Sequence, residues 1–154
     1  MGALAIIETE NLDVFACPQQ RPIILPLIPG ISAGFPSPAA DFIDLNIDLS
    51  KEIVKNPSST FFGRVKGDSM HGAGIDDGDI MVVDKSLSCK EGDIAVCFVD
   101  GEFTVKRIRF EKDACWLIAE NDKYPPIRVT DDNEMVIWGI VISVIKFFGH
   151  VRPR

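Results

Sequence analysis

The stretch Ile94-Ala95-Val96-Cys97-Phe98-Val99-Asp100-Gly101-Glu102-Phe103-Thr104-Val105-Lys106-Arg107-Ile108-Arg109-Phe110 decides the fold class. Two runs rich in β-branched and aromatic side chains flank an Asp-Gly step. That step is the strongest short-range signal for a tight β-hairpin, because both turn positions must accept positive φ. The second run also carries a lysine in mid-strand. Alternation places Thr104 and Ile108 on the same face as Lys106, and neither is expected to stabilise a positive charge.

Strand patterning continues on both sides of this hairpin. Phe61-Phe62-Gly63-Arg64-Val65 opens the β-part, and residues 80–83 follow the Asp76-Asp77-Gly78-Asp79 turn. Residues 116–119 and 127–130 read as further strands. Residues 135–148 form a long apolar run whose β-branched content favours strand over helix, bent or broken at Gly139 and carrying Lys146. Most of that run reads as core, with Phe147 and Phe148 suited to an interface. Upstream, Ser50 caps a short helix through residues 51–55 that Pro57 stops. Residues 1–33, with Pro18, Pro22, Pro26, Pro29 and Gly30, read as an arm to which proline denies regular ladders. Residues 35–40 form a second extended stretch, since a residue before proline is pushed to β or polyproline geometry. Extended backbone is what a protease cleft binds. The expected fold is mainly β, with an extended N-terminal arm over 1–33, a compact domain over 34–154 and one short helix.

Composition narrows the function. The 154 residues are 46% hydrophobic, enough for one real core. A formal charge of -7 argues against gripping nucleic acid directly. Cys17, Cys89, Cys97 and Cys115 form no CxxC pair and read as reduced thiols of a cytoplasmic protein. His71 and His150 are too isolated for zinc, so no metal or cofactor is expected. The apolar residues 23–31 imitate a signal peptide. Glu8, Glu10 and Asp13 stand where basic residues belong, however, and Pro26 and Pro29 break a run too short to span a bilayer.

The chemistry-bearing residues are Ser69, in Gly67-Asp68-Ser69-Met70, and Lys106. A serine hydroxyl attacks only when something takes its proton, and lysine does so only when neutral. Bringing a lysine from pKa ~10.4 to about 7–8 requires the ammonium to be destabilised by about 4 kcal/mol, which burial without a carboxylate supplies. Ser69 lies in a glycine-flanked turn where the backbone amides of Asp68 and Ser69 can converge on an oxyanion. Each residue alone has a plainer reading, the serine as a turn residue and the lysine on a solvated face. His71 is a rival base, but its closeness in sequence to Ser69 favours a turn or surface role. The missing second glycine of Gly-x-Ser-x-Gly argues against an α/β-hydrolase elbow. Asp76, Asp77 and Asp79 lack calcium-loop spacing and read as a solvated turn.

Gly67-Asp68-Ser69-Met70, then Gly74-Ile75 with Asp77-Gly78-Asp79, then Asp100-Gly101-Glu102-Phe103-Thr104-Val105-Lys106, resembles the LexA/UmuD family of self-cleaving serine peptidases. Gly34-Phe35-Pro36-Ser37-Pro38-Ala39-Ala40-Asp41 resembles that family's SOS-mutagenesis branch. The resemblance spans about residues 31–148 and implies a LexA/signal-peptidase-like β domain. It implies Ser69 as nucleophile, Lys106 as general base and Ala33–Gly34 as the bond cut, so that the arm of residues 1–33 is removed and Gly34–Arg154 is left, with Ala33 where the best-known member of that branch has cysteine. It further implies a homodimer, stimulation by a RecA filament on single-stranded DNA, and service of the cut form beside a UmuC-like Y-family polymerase in synthesis past lesions. Thirty-three proline-rich residues leave no room for a helix-turn-helix domain, so neither sequence-specific DNA binding nor membrane association is expected. Two other readings remain open: a polymerase-associated scaffold with a vestigial dyad, and a peptidase acting on other proteins.

Overall fold

The computed structural model describes residues 7–17, 22–27 and 45–149. Its strands in chain order are β1 (Ile7–Glu8), β2 (Leu12–Ala16), β3 (Ile24–Leu27), β4 (Leu45–Asp48), β5 (Thr60–Val65), β6 (Ile80–Asp84), β7 (Ile94–Val99), β8 (Glu102–Phe110), β9 (Cys115–Ile118), β10 (Ile127–Val129) and β11 (Met135–Ile145). One short helix, α1 (Leu49–Ile53), follows β4. Nine strands form an antiparallel sheet in the order β1-β2-β5-β6-β11-β7-β8-β9-β10, and β3 pairs with β4 separately.

The β7–β8 hairpin has the bounds its sequence predicts. Asp100 and Gly101 both take positive φ, 46° and 91°, which matches the twist of the flanking strands. The Asp100 carboxylate accepts from the Glu134 amide at 3.0 Å and from Asn133 Nδ2 at 3.0 Å, tying the turn to the start of β11. As expected, β11 is irregular at Gly139, where its register against β7 shifts between Ile137 and Gly139. A Cβ there would stand 2.6 Å from Val83 Cγ1, so only glycine lets the strand pass. A second shift, between Val141 and Ser143, lies against β6.

Both faces of the sheet's centre are buried. Val96 belongs to one apolar cluster and its neighbours Ala95 and Cys97 to another. Leu12 and Val14 of β2 share the first cluster with Val96 and Val105, although four strands separate β2 from β8 in the sheet order. The sheet therefore curls on itself. Asn11 Nδ2 closes the curl by donating to the Phe103 carbonyl at 3.2 Å.

Three expectations need correction. First, residues 1–33 are not free of ladders. Residues 12–16 pair with β5 in regular register, and residues 24–27 pair with β4. The prolines cluster after Ala16, and Pro26 lies in a two-stranded sheet where one side of the strand needs no partner. Second, α1 is capped by Asp48, not Ser50. Asp48 Oδ1 accepts from the Ser50 amide at 3.1 Å and from Ser50 Oγ at 2.6 Å. Third, the acidic turn is not simply solvated. Asp79 is 3% exposed, and with Asp76 it grips Lys146. The extended stretch 35–40 and the Ala33–Gly34 bond lie outside the described residues.

Asp84, 1% exposed at the end of β6, organises the approach to β5. Its carboxylate accepts from Asn56 Nδ2 at 2.7 Å, Ser59 Oγ at 3.0 Å, and the Ser86 amide and Oγ at 2.8 and 2.6 Å. Burial raises its pKa, but the bonds from Asn56, Ser86 and Ser59 outweigh this and hold it below the usual value. Asp84→Ala strands those donors and is expected to cost on the order of 3 kcal/mol in urea unfolding. The loss shrinks in acid, because the carboxylate's contribution disappears as pH falls through its depressed folded pKa.

Candidate active site

Ser69 follows β5 in a tight turn that begins at Gly67, whose φ of 88° suits glycine. The Gly67 amide donates to Asp77 Oδ1 at 2.8 Å, and Met70 is sunk in the first apolar cluster at 2% exposure. These two fixings hold the turn from both ends. Lys106 is 7% exposed in β8, on the face that sequence alternation predicts. Its Nζ donates to Ser69 Oγ at 3.3 Å, Thr104 Oγ1 at 2.8 Å and the Val105 carbonyl at 3.0 Å. Thr104, expected to offer the lysine nothing, instead accepts a hydrogen bond from it. Among the described residues no carboxylate pairs with Lys106. Desolvation therefore pushes its pKa down, opposed only by the Cys97 thiol nearby.

His71, the rival base, lies in a short 3₁₀ turn and pairs with Asp76 through Nδ1, mostly exposed to solvent. Burial raises the thiols as well, Cys89 to about 11 and Cys97 to about 12, so neither competes as a nucleophile near neutrality.

The loop after β9 holds the nucleophile turn in a way the sequence did not reveal. Asn121 Nδ2 donates to the Asp68 carbonyl at 2.9 Å, Tyr124 OH to Asp68 Oδ1 at 2.6 Å and Lys123 Nζ to Asp68 Oδ2 at 3.2 Å. Tyr124, then Lys123, depress the Asp68 pKa, keeping that carboxylate ionised. The Gly72 amide reaches the Glu120 carbonyl at 2.7 Å. Partners more than fifty residues away leave no spacing signal. A Cβ on Gly72 would stand 2.6 Å from that carbonyl oxygen, a backbone atom. Gly72→Ala is therefore expected to push the turn off its support and slow any reaction at Ser69 by about 10- to 100-fold, with the fold's far-ultraviolet spectrum unchanged. Rates of fragment formation, followed by mass, test this.

Ser69 and Lys106 sit on a cleft of about 520 Å³, rimmed by Lys66, Asp68, Glu102 and Tyr124. Asn11, from the turn between β1 and β2, also lines it. A smaller recess of about 20 Å³ lies against Ser69, walled by Val65, Met70, Ile75, Thr104 and Val105. Asn11 and Lys66 also border it, its walls are more apolar than polar, and it has room for about one methyl group.

A mainly β domain holding a serine hydroxyl against a buried lysine, with no described carboxylate beside it, at a cleft is a fold and site suited to peptide-bond hydrolysis by a serine–lysine pair. The chain belongs to the Peptidase S24-like family, whose sequence model matches residues 26–142. It is 45% identical over 112 residues to Protein MucA of Salmonella typhimurium, covering 72% of this chain and 76% of that protein. Protein SamA of Salmonella typhimurium is 40% identical over 135 residues, 86% of this chain and 94% of SamA. The LexA repressor of Alcanivorax borkumensis is 34% identical over 122 residues, 79% of this chain and 59% of the repressor. These likenesses agree with the family that the motifs resemble. Among the described residues no helix is long and apolar enough to cross a membrane.

Proposed function

We propose that the chain cuts its own Ala33–Gly34 bond, with Ser69 as nucleophile and Lys106 as base. The observation that carries this reading is the 3.3 Å approach of Lys106 Nζ to Ser69 Oγ in a site that desolvates the lysine. Neutral Lys106 takes the Ser69 proton as Oγ attacks the Ala33 carbonyl carbon. The resulting oxyanion is met by backbone N–H groups of the turn, with the amides of Asp68 and Ser69 as candidates. Lys106 then gives its proton to the Gly34 nitrogen as the C–N bond breaks, and water releases Ala33 from the ester. The methyl-sized recess beside Ser69 supports alanine before the cut.

The strands β3 and β4 pair on either side of residues 28–44, which contain the bond. Gly34 is seven residues beyond Leu27, an extended reach of roughly 24 Å. The substrate is thus tethered and its effective concentration high. Within the same proposal, a RecA filament on single-stranded DNA stimulates the cut by favouring the productive pose. The cut form, as a homodimer in the cytoplasm, serves with a UmuC-like Y-family polymerase. The likeness to MucA, SamA and the LexA repressor supports the family on which this assignment rests.

The test is intact mass after incubation at pH 7 and pH 10, beside Ser69→Ala. The expected result is a fragment of residues 34–154, forming roughly tenfold or more faster at pH 10 as Lys106 loses its proton, and absent from Ser69→Ala. A folded parent that stays whole at both pH values, and again with RecA, ATP and single-stranded DNA, overturns the reading in favour of a scaffold with a vestigial pair.

A further inference from the structure

We propose that cutting at Ala33–Gly34 nicks the molecule without releasing residues 1–33: the excised segment stays seated in the sheet through β2 and beside β4 through β3. This rests on the cleavage reading above and concerns what the cut leaves behind.

The segment before the cut is built into the domain at two places. At the first, β2 pairs with β5 from Leu12 opposite Val65 to Ala16 opposite Phe61. Leu12 and Val14, 0% and 1% exposed, belong to the same apolar cluster as Val65, Met81 and Val105. The Leu12 methyl occupies the space a side chain on Gly63 would need, with Cδ1 2.7 Å from that Cβ position. Polar contacts frame the apolar seat. Lys66 Nζ donates to the Thr9 carbonyl at 2.8 Å and to Asp13 Oδ1 at 2.6 Å, and the Lys66 amide donates to the Asn11 carbonyl at 3.1 Å. Thr9 closes the β1–β2 turn on itself, bonding the Leu12 carbonyl and amide at 2.8 and 3.0 Å.

At the second place, β3 pairs with β4 from Ile24 opposite Asp48 to Leu27 opposite Leu45. The Leu49 amide donates to the Ile23 carbonyl at 2.8 Å. The bond to be cut thus lies between two strands that are hydrogen-bonded to each other, and breaking it removes none of these contacts. Release would take Leu12 and Val14 out of that apolar cluster and leave the β5 edge without its β2 partner. A segment of residues 1–33 held by two ladders and two fully buried side chains has the makings of a split-protein complex, in which retention requires that the segment's dissociation constant lie below the protein concentration.

The experiment cuts the full chain and asks where the peptide goes. One arm uses self-cleaved protein. The other uses Ser69→Ala carrying a site-specific protease sequence in place of residues 31–36, cut by that added protease, so that retention is read independently of the chain's own activity. Native gel filtration followed by denaturing mass is expected to find residues 1–33 and the remainder in equal amounts in one peak. Hydrogen exchange of the Leu12–Ala16 amides is expected to stay roughly 100-fold slower than in the synthetic 1–33 peptide, a readout that needs no destabilising variant. Leu12→Glu with Val14→Glu in the nicked chain is expected to shed the peptide. Recovery of the peptide in low-mass fractions, exchange at free-peptide rates, or undiminished retention in the double variant overturns the proposal. A parent that fails to cut itself while the protease-nicked chain keeps its peptide upholds the proposal and overturns only the cleavage reading.

Discussion

Lys106→Met is expected to yield a chain that no longer cuts itself, by a factor of about a thousand or more, yet melts at a higher temperature than the parent at pH 7. The two effects have one cause. A buried ammonium with no carboxylate is unfavourable in the folded state, which is why its pKa lies below the ordinary lysine value of 10.5. Methionine has similar length and no charge, so the fold gains on the order of 1 kcal/mol while the base is lost. The pH dependence has a definite sign. Between the depressed folded pKa and the ordinary value the unfolded chain binds more protons, so the parent's stability rises with pH across that window. The advantage of methionine is then full below the folded pKa and gone above the ordinary value. Melting curves of parent and variant that run parallel through this window would remove the desolvated lysine from the account. Lys106→Arg is expected to be equally inactive, because a guanidinium does not give up its proton.

Leu12→Ala is expected to destabilise the uncut domain by about 3 kcal/mol, read as a lower urea midpoint with an unchanged slope. Leu12 is fully buried, and it fills the space over Gly63 that no other side chain reaches as closely. Deleting its three outer carbons leaves a cavity at the junction of β2 and β5, where the backbone ladder resists collapse. The same reasoning predicts that a chain beginning at Gly34 is less stable still, and that adding the synthetic peptide of residues 1–33 raises its midpoint. A Leu12→Ala midpoint equal to the parent's would mean that β2 adds no packing to the core.

Local chemistry made part of this molecule legible. The Asp-Gly turn fixes β7 and β8, since only positive φ at Asp100 and Gly101 lets the flanking runs pair. Gly139 marked the irregularity of β11. Ser69 and Lys106 were found through their residue types and surroundings, and the fold brings them to hydrogen-bond distance. What stayed hidden is non-local. The prolines at 18–29 hide the ladder that precedes them, although Leu12-Asp13-Val14 alternates as a half-buried strand should. Asp79 looked solvated because the lysine that neutralises it, Lys146, lies at the far end of the sequence. The grip of Asn121, Lys123 and Tyr124 on Asp68 has no periodicity to betray it. Asp48 and Ser50 are both good caps, and propensity alone does not choose between them.

The strand β11 lies between β6 and β7 in the sheet, yet it is the last of the described strands to be synthesised. Ser69 follows β5 and Lys106 lies on β8, on opposite sides of that central strand. Until β11 is made, no continuous strand ladder runs from the Ser69 half of the sheet to the Lys106 half. If Ser69 and Lys106 act as proposed, the sheet that sets the spacing between them is complete only once β11, the last described strand, has been made.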